Sequence, residues 1–234
     1  MMVVSAQRMF YSKGEADMNT NDEGHSIIVG VAGPSGSGKT LFVNNLKEQL
    51  AKNHSVVVIR EDNYYHDQSN VAIEEREKVN YDHPDALEHS LLIEHLKMLQ
   101  NKKAVQGPNY LFHTHTRATE TRQIDPAEII ICDGILLLAD VNVRKILDVT
   151  AFIDAPLDIC LVRRLQRDLA ERGRSIAKTL NQYTETVRPM YLEFIEPTKE
   201  HVDLVVTGGG KNWNAIHQFQ TLILERLNSK VSNG

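Results

Sequence analysis

The chain has 234 residues, 41% hydrophobic and 24% charged, with a formal net charge of −5. That length holds one large α/β domain or two small ones, and the composition excludes collagen-like, coiled-coil and disordered chains. The acidic balance argues against a nucleic-acid coat or a polybasic membrane binder, and the most apolar stretch, 129–139, carries Asp133 and falls far short of the ~20 residues that span a bilayer.

Residues 1–25 mix Arg8 and Lys13 with Glu15 and Asp17, lack the apolar core of a signal peptide, and read as a disordered extension in which Met18 is a second candidate start. The first ordered element is Ser26-Ile-Ile-Val-Gly-Val-Ala32, a β-branched run that meets glycines at once, as a strand buried on both faces does. From Lys39 the apolar residues Leu41, Phe42, Val43, Leu46 and Leu50 take helical spacing. A second strand is expected over 55–60, beside the first, which sets Asp62 at the carboxyl edge of a parallel sheet. Asp85-Ala-Leu-Glu88 has the form of a capping box opening a helix to about residue 99. Buried strands follow over 128–133, 149–154 and 202–207, with helices over 140–148, 157–171, 176–195 and 213–228 and Pro156 near the first position of the second of these. The stretch 104–125, rich in Thr, Tyr, His and Phe with Gly107-Pro108-Asn109 as a turn, fits a small antiparallel hairpin. Strands alternating with helices imply a mostly parallel sheet covered on both faces. Cys132 and Cys160 are too few for a disulfide framework and lack zinc spacing, so both are expected reduced in the core of an intracellular protein.

Gly33, Pro34, Ser35, Gly36, Ser37, Gly38, Lys39 and Thr40 spell G-x-x-x-x-G-K-[ST], a phosphate loop. The glycines let successive amides face one anion, the helix adds its positive end, Lys39 neutralises β/γ-phosphate charge and the Thr40 hydroxyl ligates Mg²⁺. Such a loop binds a nucleoside triphosphate and leaves three classes open: a GTPase switch, an ATPase motor, and a kinase acting on a small molecule. The only Asn-Lys pair, Asn101-Lys-Lys-Ala104, lacks the Asp of the guanine-reading N-K-x-D motif. An ATPase usually carries Glu after the carboxylate that ends an apolar strand; this chain reads Ile129-Ile-Ile-Cys-Asp133-Gly134. A kinase excludes water rather than activating it, and suits the residues better.

Glu61-Asp62-Asn-Tyr-Tyr65, Asn80-Tyr-Asp82-His-Pro-Asp85, Asp133-Gly-Ile-Leu136, Arg163-Arg164-Leu-Gln-Arg167-Asp168, Glu171-Arg-Gly-Arg174 and Val187-Arg-Pro-Met190, in that order, resemble the uridine kinase (uridine–cytidine kinase) family over about 27–215. The resemblance implies one phosphate-loop kinase domain over 26–234 that phosphorylates the 5′-hydroxyl of uridine and cytidine with ATP or GTP and Mg²⁺ in pyrimidine salvage. It also implies a cytoplasmic homotetramer. Residue by residue, it makes Asp62 the carboxylate that orients or deprotonates the nucleoside hydroxyl and Asp82 the acceptor for ribose hydroxyls. Tyr110, Phe112 and His115 become the pyrimidine pocket. Arg164, Arg174 and Gln182 approach the nucleoside, Arg167 and Arg172 the phosphates, and Arg172-Gly173-Arg174 forms a lid over them. Thr40, Asp62 and Asp133 are implied at the metal. Without the resemblance, Asp62 also reads as an ordinary turn residue, the aromatics as hairpin packing, and Arg164 with Asp168 as an i, i+4 pair.

Tyr110 and His115 are an odd number of residues apart, so a straight strand would set them on opposite faces; a turn or bulge is needed to bring both to one base. Two positions depart from the family pattern: Asp133 stands where Glu is usual, and Thr207-Gly208-Gly209-Gly210 replaces a Pro-Arg-Gly-Gly run. Phosphoribulokinase-like and pantothenate kinase-like acceptors, and a non-catalytic nucleotide-binding regulator, are the rival readings.

Overall fold

A computed structural model describes residues 26–171 and 173–232. The expected extension over 1–25 and the residue Arg172 lie outside them. Five parallel strands, β1 (Ile27–Ala32), β2 (Val56–Arg60), β7 (Ile129–Gly134), β8 (Val149–Ile153) and β9 (Leu204–Val206), form the central sheet in the order β2-β7-β1-β8-β9. The second strand therefore does not lie beside the first: β7 separates them, pairing Ile27 with Ile129 on one side and Val56 with Ile129 on the other. Chain order gives no hint of this insertion, because the run that fills the slot arrives some seventy residues later.

Side chains alternate across β1. Ile27, Val29 and Val31 pack on one face against α1 (Lys39–Leu50) and α8 (Trp213–Ser232), through Phe42, Leu46, Leu50, Ile216 and Phe219. Ile28, with Ile59, Ile130 and Cys132, packs on the other against Leu92, Leu96 and Leu99 of α3 (His89–Gln100). Burying a Leu, Ile or Phe side chain contributes about 1.5–3 kcal/mol, so the two layers clamp the sheet between them. Cys132 and Cys160 are buried free thiols, as expected from the sequence.

The excursion over 104–125 is one long hairpin in two nested ladders: β3 (Val105–Gly107) with β6 (Arg122–Ile124), and inside it β4 (Tyr110–Leu111) with β5 (Thr116–Arg117). α2 (Ile73–Arg76) is a single turn ahead of the Asn80-Tyr-Asp82 segment. Asp85 does not open α3. His83 caps a 3₁₀ turn over Pro84–Ala86, its Nδ1 accepting the Asp85 amide at 3.1 Å. Leu87 is extended and bridges Tyr65, and Glu88 donates its amide to the Tyr64 carbonyl, so α3 begins only at His89. Between β7 and β8, α4 (Val141–Arg144) is only one turn, capped by Asp140.

α5 (Leu157–Glu171) starts one residue after Pro156, whose carbonyl accepts the Cys160 amide; the proline is thus the cap, one place earlier than its expected position. The helix expected over 176–195 is interrupted: α6 (Ile176–Gln182) passes into a π turn at Tyr183–Val187, then α7 (Arg188–Met190), then a second π turn at Tyr191–Ile195. Among the described residues no helix is long and apolar enough to cross a membrane.

Candidate active site

The carboxyl ends of β1, β7 and β2 lie side by side, with Ala32 opposite Gly134 and Arg60 opposite Asp133. Three chain segments therefore leave the sheet at one edge: the phosphate loop after β1, the Asp133-Gly134 step at the end of β7, and a 3₁₀ turn, Glu61–Tyr64, carrying Asp62 after β2. Ligands of open α/β sheets bind at such an edge, where neighbouring connections diverge.

The phosphate loop runs from Gly33 to Gly38, and Lys39 and Thr40 open α1. Gly38 caps the helix with no side-chain bond and no acidic residue lies in the first turn, so the positive end of the helix faces the loop uncompensated. Gly36 has φ +87°, and a Cβ there would stand 2.5 Å from the Cys160 carbonyl oxygen, which fixes glycine at that place. Arg163 Nη1 donates to the carbonyls of Gly36 and Ser37 at 3.2 and 3.3 Å. That arginine grips the loop's backbone. Gly210 of the Gly208-Gly209-Gly210 run packs against the other flank, its carbonyl accepting from Asn45 Nδ2 at 2.9 Å.

A single cavity beside the loop is lined by Asp62, Asp82, Tyr110, Phe112, His115, Arg164, Arg167, Arg174 and Gln182, with Ser35 at the phosphate side. All seven residues that the resemblance implies for the nucleoside thus come to one place. His115 reaches the cavity because it sits at φ +55° between β4 and β5, the turn that its odd spacing from Tyr110 requires. Tyr81 stacks on it, ring centroids 4.4 Å apart and planes 14° off parallel, and Tyr65 tilts against Tyr110 at 5.1 Å. Sequence reasoning missed Tyr65 and Tyr81 as wall residues, although both stand inside the segments quoted for Asp62 and Asp82.

Asp82 is buried, and burial lifts its carboxyl above the usual range; the Arg164 guanidinium, 3.8 Å away, offsets part of this, and the Asp62 charge adds to the rise. Burial likewise raises Asp133, with Lys39 opposing and Asp62 reinforcing. Tyr65 is held well above its ordinary value by burial and by the charges of Asp62 and Asp82. All three groups are raised by burial first and by the Asp62 charge after it, which places Asp82, Asp133 and Tyr65 around Asp62.

The arginines are ordered by a carboxylate to which sequence reasoning assigned no functional role. Asp168, fully buried, accepts from Arg167 Nε and Nη2 at 3.1 and 3.0 Å and lies 3.7 Å from Arg164 Nε and 3.5 Å from Arg174 Nη1. Arg167 extends to Ser35 Oγ at 3.4 Å, and Gln182 Oε1 accepts from both Arg164 at 3.1 Å and Arg174 at 2.7 Å. Gly173, at φ +61°, turns the chain so that the Arg174 amide returns to the Asp168 carbonyl at 3.1 Å. The site therefore joins a polyanion cradle to an aromatic pocket with two carboxylates, and charged arginines stand at the boundary.

A family model described as "Phosphoribulokinase / Uridine kinase family" matches residues 28–214. The chain is 48% identical over 212 residues to a protein of Vibrio atlanticus named uridine kinase, covering 89% of this chain and 100% of that one. It is 49% identical over 213 residues to a uridine kinase of Aliivibrio fischeri, covering 90% and 99%. Among solved structures, a putative fructose transport system kinase from Silicibacter sp. TM1040 superposes with a TM-score of 0.65 at 19% identity, over 80% of this chain and 92% of that one, a likeness of fold.

Proposed function

This chain belongs to the phosphoribulokinase/uridine kinase family, and from that premise we propose that it transfers the γ-phosphoryl group of ATP or GTP to the 5′-hydroxyl of uridine and cytidine, giving UMP and CMP in pyrimidine salvage. The observation that carries the reading is the cavity in which Asp62, Asp82 and the aromatic wall meet Ser35 and Arg167 of the phosphate side. Relatives at 48–49% identity named uridine kinase support the acceptor.

In this reading the triphosphate lies in the loop, with Lys39 neutralising its β/γ charge. Tyr110, Phe112 and His115 bracket the base, and Asp82 accepts from the ribose hydroxyls. Asp62 takes the proton of the 5′-hydroxyl as its oxygen bonds to the γ-phosphorus in line with the breaking bridge bond; the nucleoside diphosphate leaves. Arg167 stabilises the charge on the equatorial oxygens, and Arg172 is assigned with it. Arg174, tied to Asp168 and Gln182, closes the water-facing side.

The residues fit a Mg²⁺ ion. Asp133 Oδ1 is buried with no hydrogen-bond partner, the condition of an oxygen whose partner arrives with a ligand. Among the described residues no group of three or more His, Cys, Asp or Glu is placed to hold a metal, which suits an ion carried by phosphates, one hydroxyl and one or two carboxylates. Thr40, Asp62 and Asp133 would hold it, directly or through water, and it would supply charge neutralisation on the transferring group. One domain over 26–234, a cytoplasmic location and a homotetramer complete the reading.

The test is ATP consumption with a panel of nucleosides. Uridine and cytidine should be converted to their 5′-monophosphates and adenosine should be a poor acceptor, because the wall is sized for one ring. Adenosine turning over faster than uridine overturns the pyrimidine assignment.

A further inference from the structure

Below the acceptor cavity runs a line of three ionisable side chains that the chemistry above leaves unused. Glu61, the residue before Asp62, is fully buried. Its Oε1 lies 2.9 Å from His89 Nε2 at the start of α3, and its Oε2 accepts the Leu136 amide at 3.0 Å. His89 Nδ1 lies 3.2 Å from Asp140 Oδ2, and Asp140 Oδ1 accepts the Asn142 and Val143 amides that begin α4. A carboxylate taken out of water is tolerated only when its oxygens are satisfied, and both oxygens here have a partner. Burial alone would strip His89 of its proton, yet the Glu61 and Asp140 carboxylates on its two sides hold its pKa above the ordinary 6.5.

The end of β7 is shaped to this carboxylate. A Cβ at Gly134 would collide with the Glu61 side chain, so glycine follows Asp133 because Glu61 fills the space where a side chain would begin. One carboxylate is therefore bonded to the chain on the far side of Asp133, at Leu136, while covalently preceding Asp62.

We propose that Glu61 and His89 are a positioning pair that fixes the separation of Asp62 and Asp133, with Asp140 anchoring the outer end of the line. Neither residue touches the substrates. Their action is to keep the turn after β2 and the loop after β7 from sliding past each other, so that the general base stays in register with the phosphoryl group. The inference rests on the roles proposed for Asp62 and Asp133. Misplacement of a reacting group by ~1 Å costs about 10²-fold, which sets the scale of effect.

Steady-state kinetics and thermal melting of the full chain test it, using uridine and MgATP. His89→Leu, if folded, should lower kcat by about 10–100-fold while KM for ATP moves less than about twofold, since the phosphate loop is held from the other side by Arg163. His89→Gln, which can still donate to Glu61, should recover most of that loss; a merely structural role would return both variants to wild-type kcat per folded molecule. Asp140→Asn keeps the cap of α4 and loosens only the outer contact, so it should lower kcat by about two- to fivefold, and it decides the matter if His89→Leu does not fold. Wild-type kcat in folded His89→Leu, or in Asp140→Asn where that variant must serve, overturns the positioning role alone. A wild type that fails to phosphorylate uridine overturns the functional reading and this inference with it.

Discussion

The two halves of the site are built from different materials. On the phosphate side the working groups come from one run of consecutive residues, backbone amides of the loop with the Lys39 and Thr40 side chains at its end, and the loop is pinned by Arg163 donating to the Gly36 and Ser37 carbonyls and by the glycine run at 208–210. On the acceptor side they are side chains from four separate segments: the turn after β2, the stretch around Asp82, the nested hairpin, and the α5–α6 region. Specificity is therefore easier to change on the acceptor side than on the phosphate side. A cradle made of backbone responds to any triphosphate, whereas a pocket made of side chains is rewritten one residue at a time.

The largest effects should come from the chemistry where the halves meet. Asp62→Asn is expected to lower kcat by ~10²–10⁴-fold with uridine binding retained, and Lys39→Ala to abolish turnover in a folded protein. Equilibrium dialysis of uridine beside single-turnover kinetics separates the two; near-normal kcat in folded Asp62→Asn would make it a turn residue. Next in size is the ribose contact. Loss of a hydrogen bond to a charged group is worth ~1.5–3 kcal/mol, so kcat/KM for deoxyuridine should fall about 10–150-fold relative to uridine, and Asp82→Ala should erase that discrimination. Equal kcat/KM for the two nucleosides in the wild type would remove Asp82 from the ribose.

A smaller change is expected at Arg117, which ties the hairpin to the β2 turn through the Tyr64 and Tyr65 carbonyls at 3.2 and 2.9 Å and an ion pair to Glu88 at 2.7 Å. Arg117→Ala should raise KM for uridine more than it lowers kcat and leave KM for ATP in place; the opposite pattern would put it on the phosphate side. The smallest effect concerns stability. Burial raises the Asp133 carboxyl, so below its unfolded pKa of about 3.9 it is protonated in both states, and as pH rises through the higher folded value the buried charge costs stability. Asp133→Asn should then melt above the wild type at pH 7 without ligands, by ~2–4 °C per kcal/mol, with the gap closing as pH falls toward 4. Calorimetry at both pH values checks the sign.

The same contrast explains what could be read in the sequence. The phosphate loop, the strands and their alternation with helices were legible because each is a local pattern of glycines or periodicity. The place of β7 was not, since strand order in a parallel sheet is set by crossovers and leaves no mark on the strands themselves. Asp85 misled because Pro84 and the bridge from Leu87 to Tyr65 override a good capping sequence. Asp168 and Glu61 were hidden for another reason: a buried carboxylate looks like a surface one until three arginines, or a histidine and an amide, are found around it. Tyr65 and Tyr81 were visible within the quoted segments, and only the stacking of Tyr81 on His115 shows that they belong to the wall.

The insertion of β7 between β1 and β2 also has a consequence for how the chain is made. With strands spaced about 4.8 Å apart, β1 and β2 stand roughly 9.6 Å from each other and exchange no ladder bonds, so a nascent chain that has released both still lacks the strand that joins them. Until 129–134 emerges, β1 and β2 have no strand partner in the sheet, a state exposed to misassembly and dependent on contacts distant in sequence, which form slowly. When that segment docks, it joins β1 to β2 and brings the phosphate loop and Asp62 to their shared edge, with β8 and β9 still to be added. The shared edge is thus built from 27–134 alone, and β8, β9 and the arginines of α5 are added to it afterwards in the life of a newly synthesised molecule.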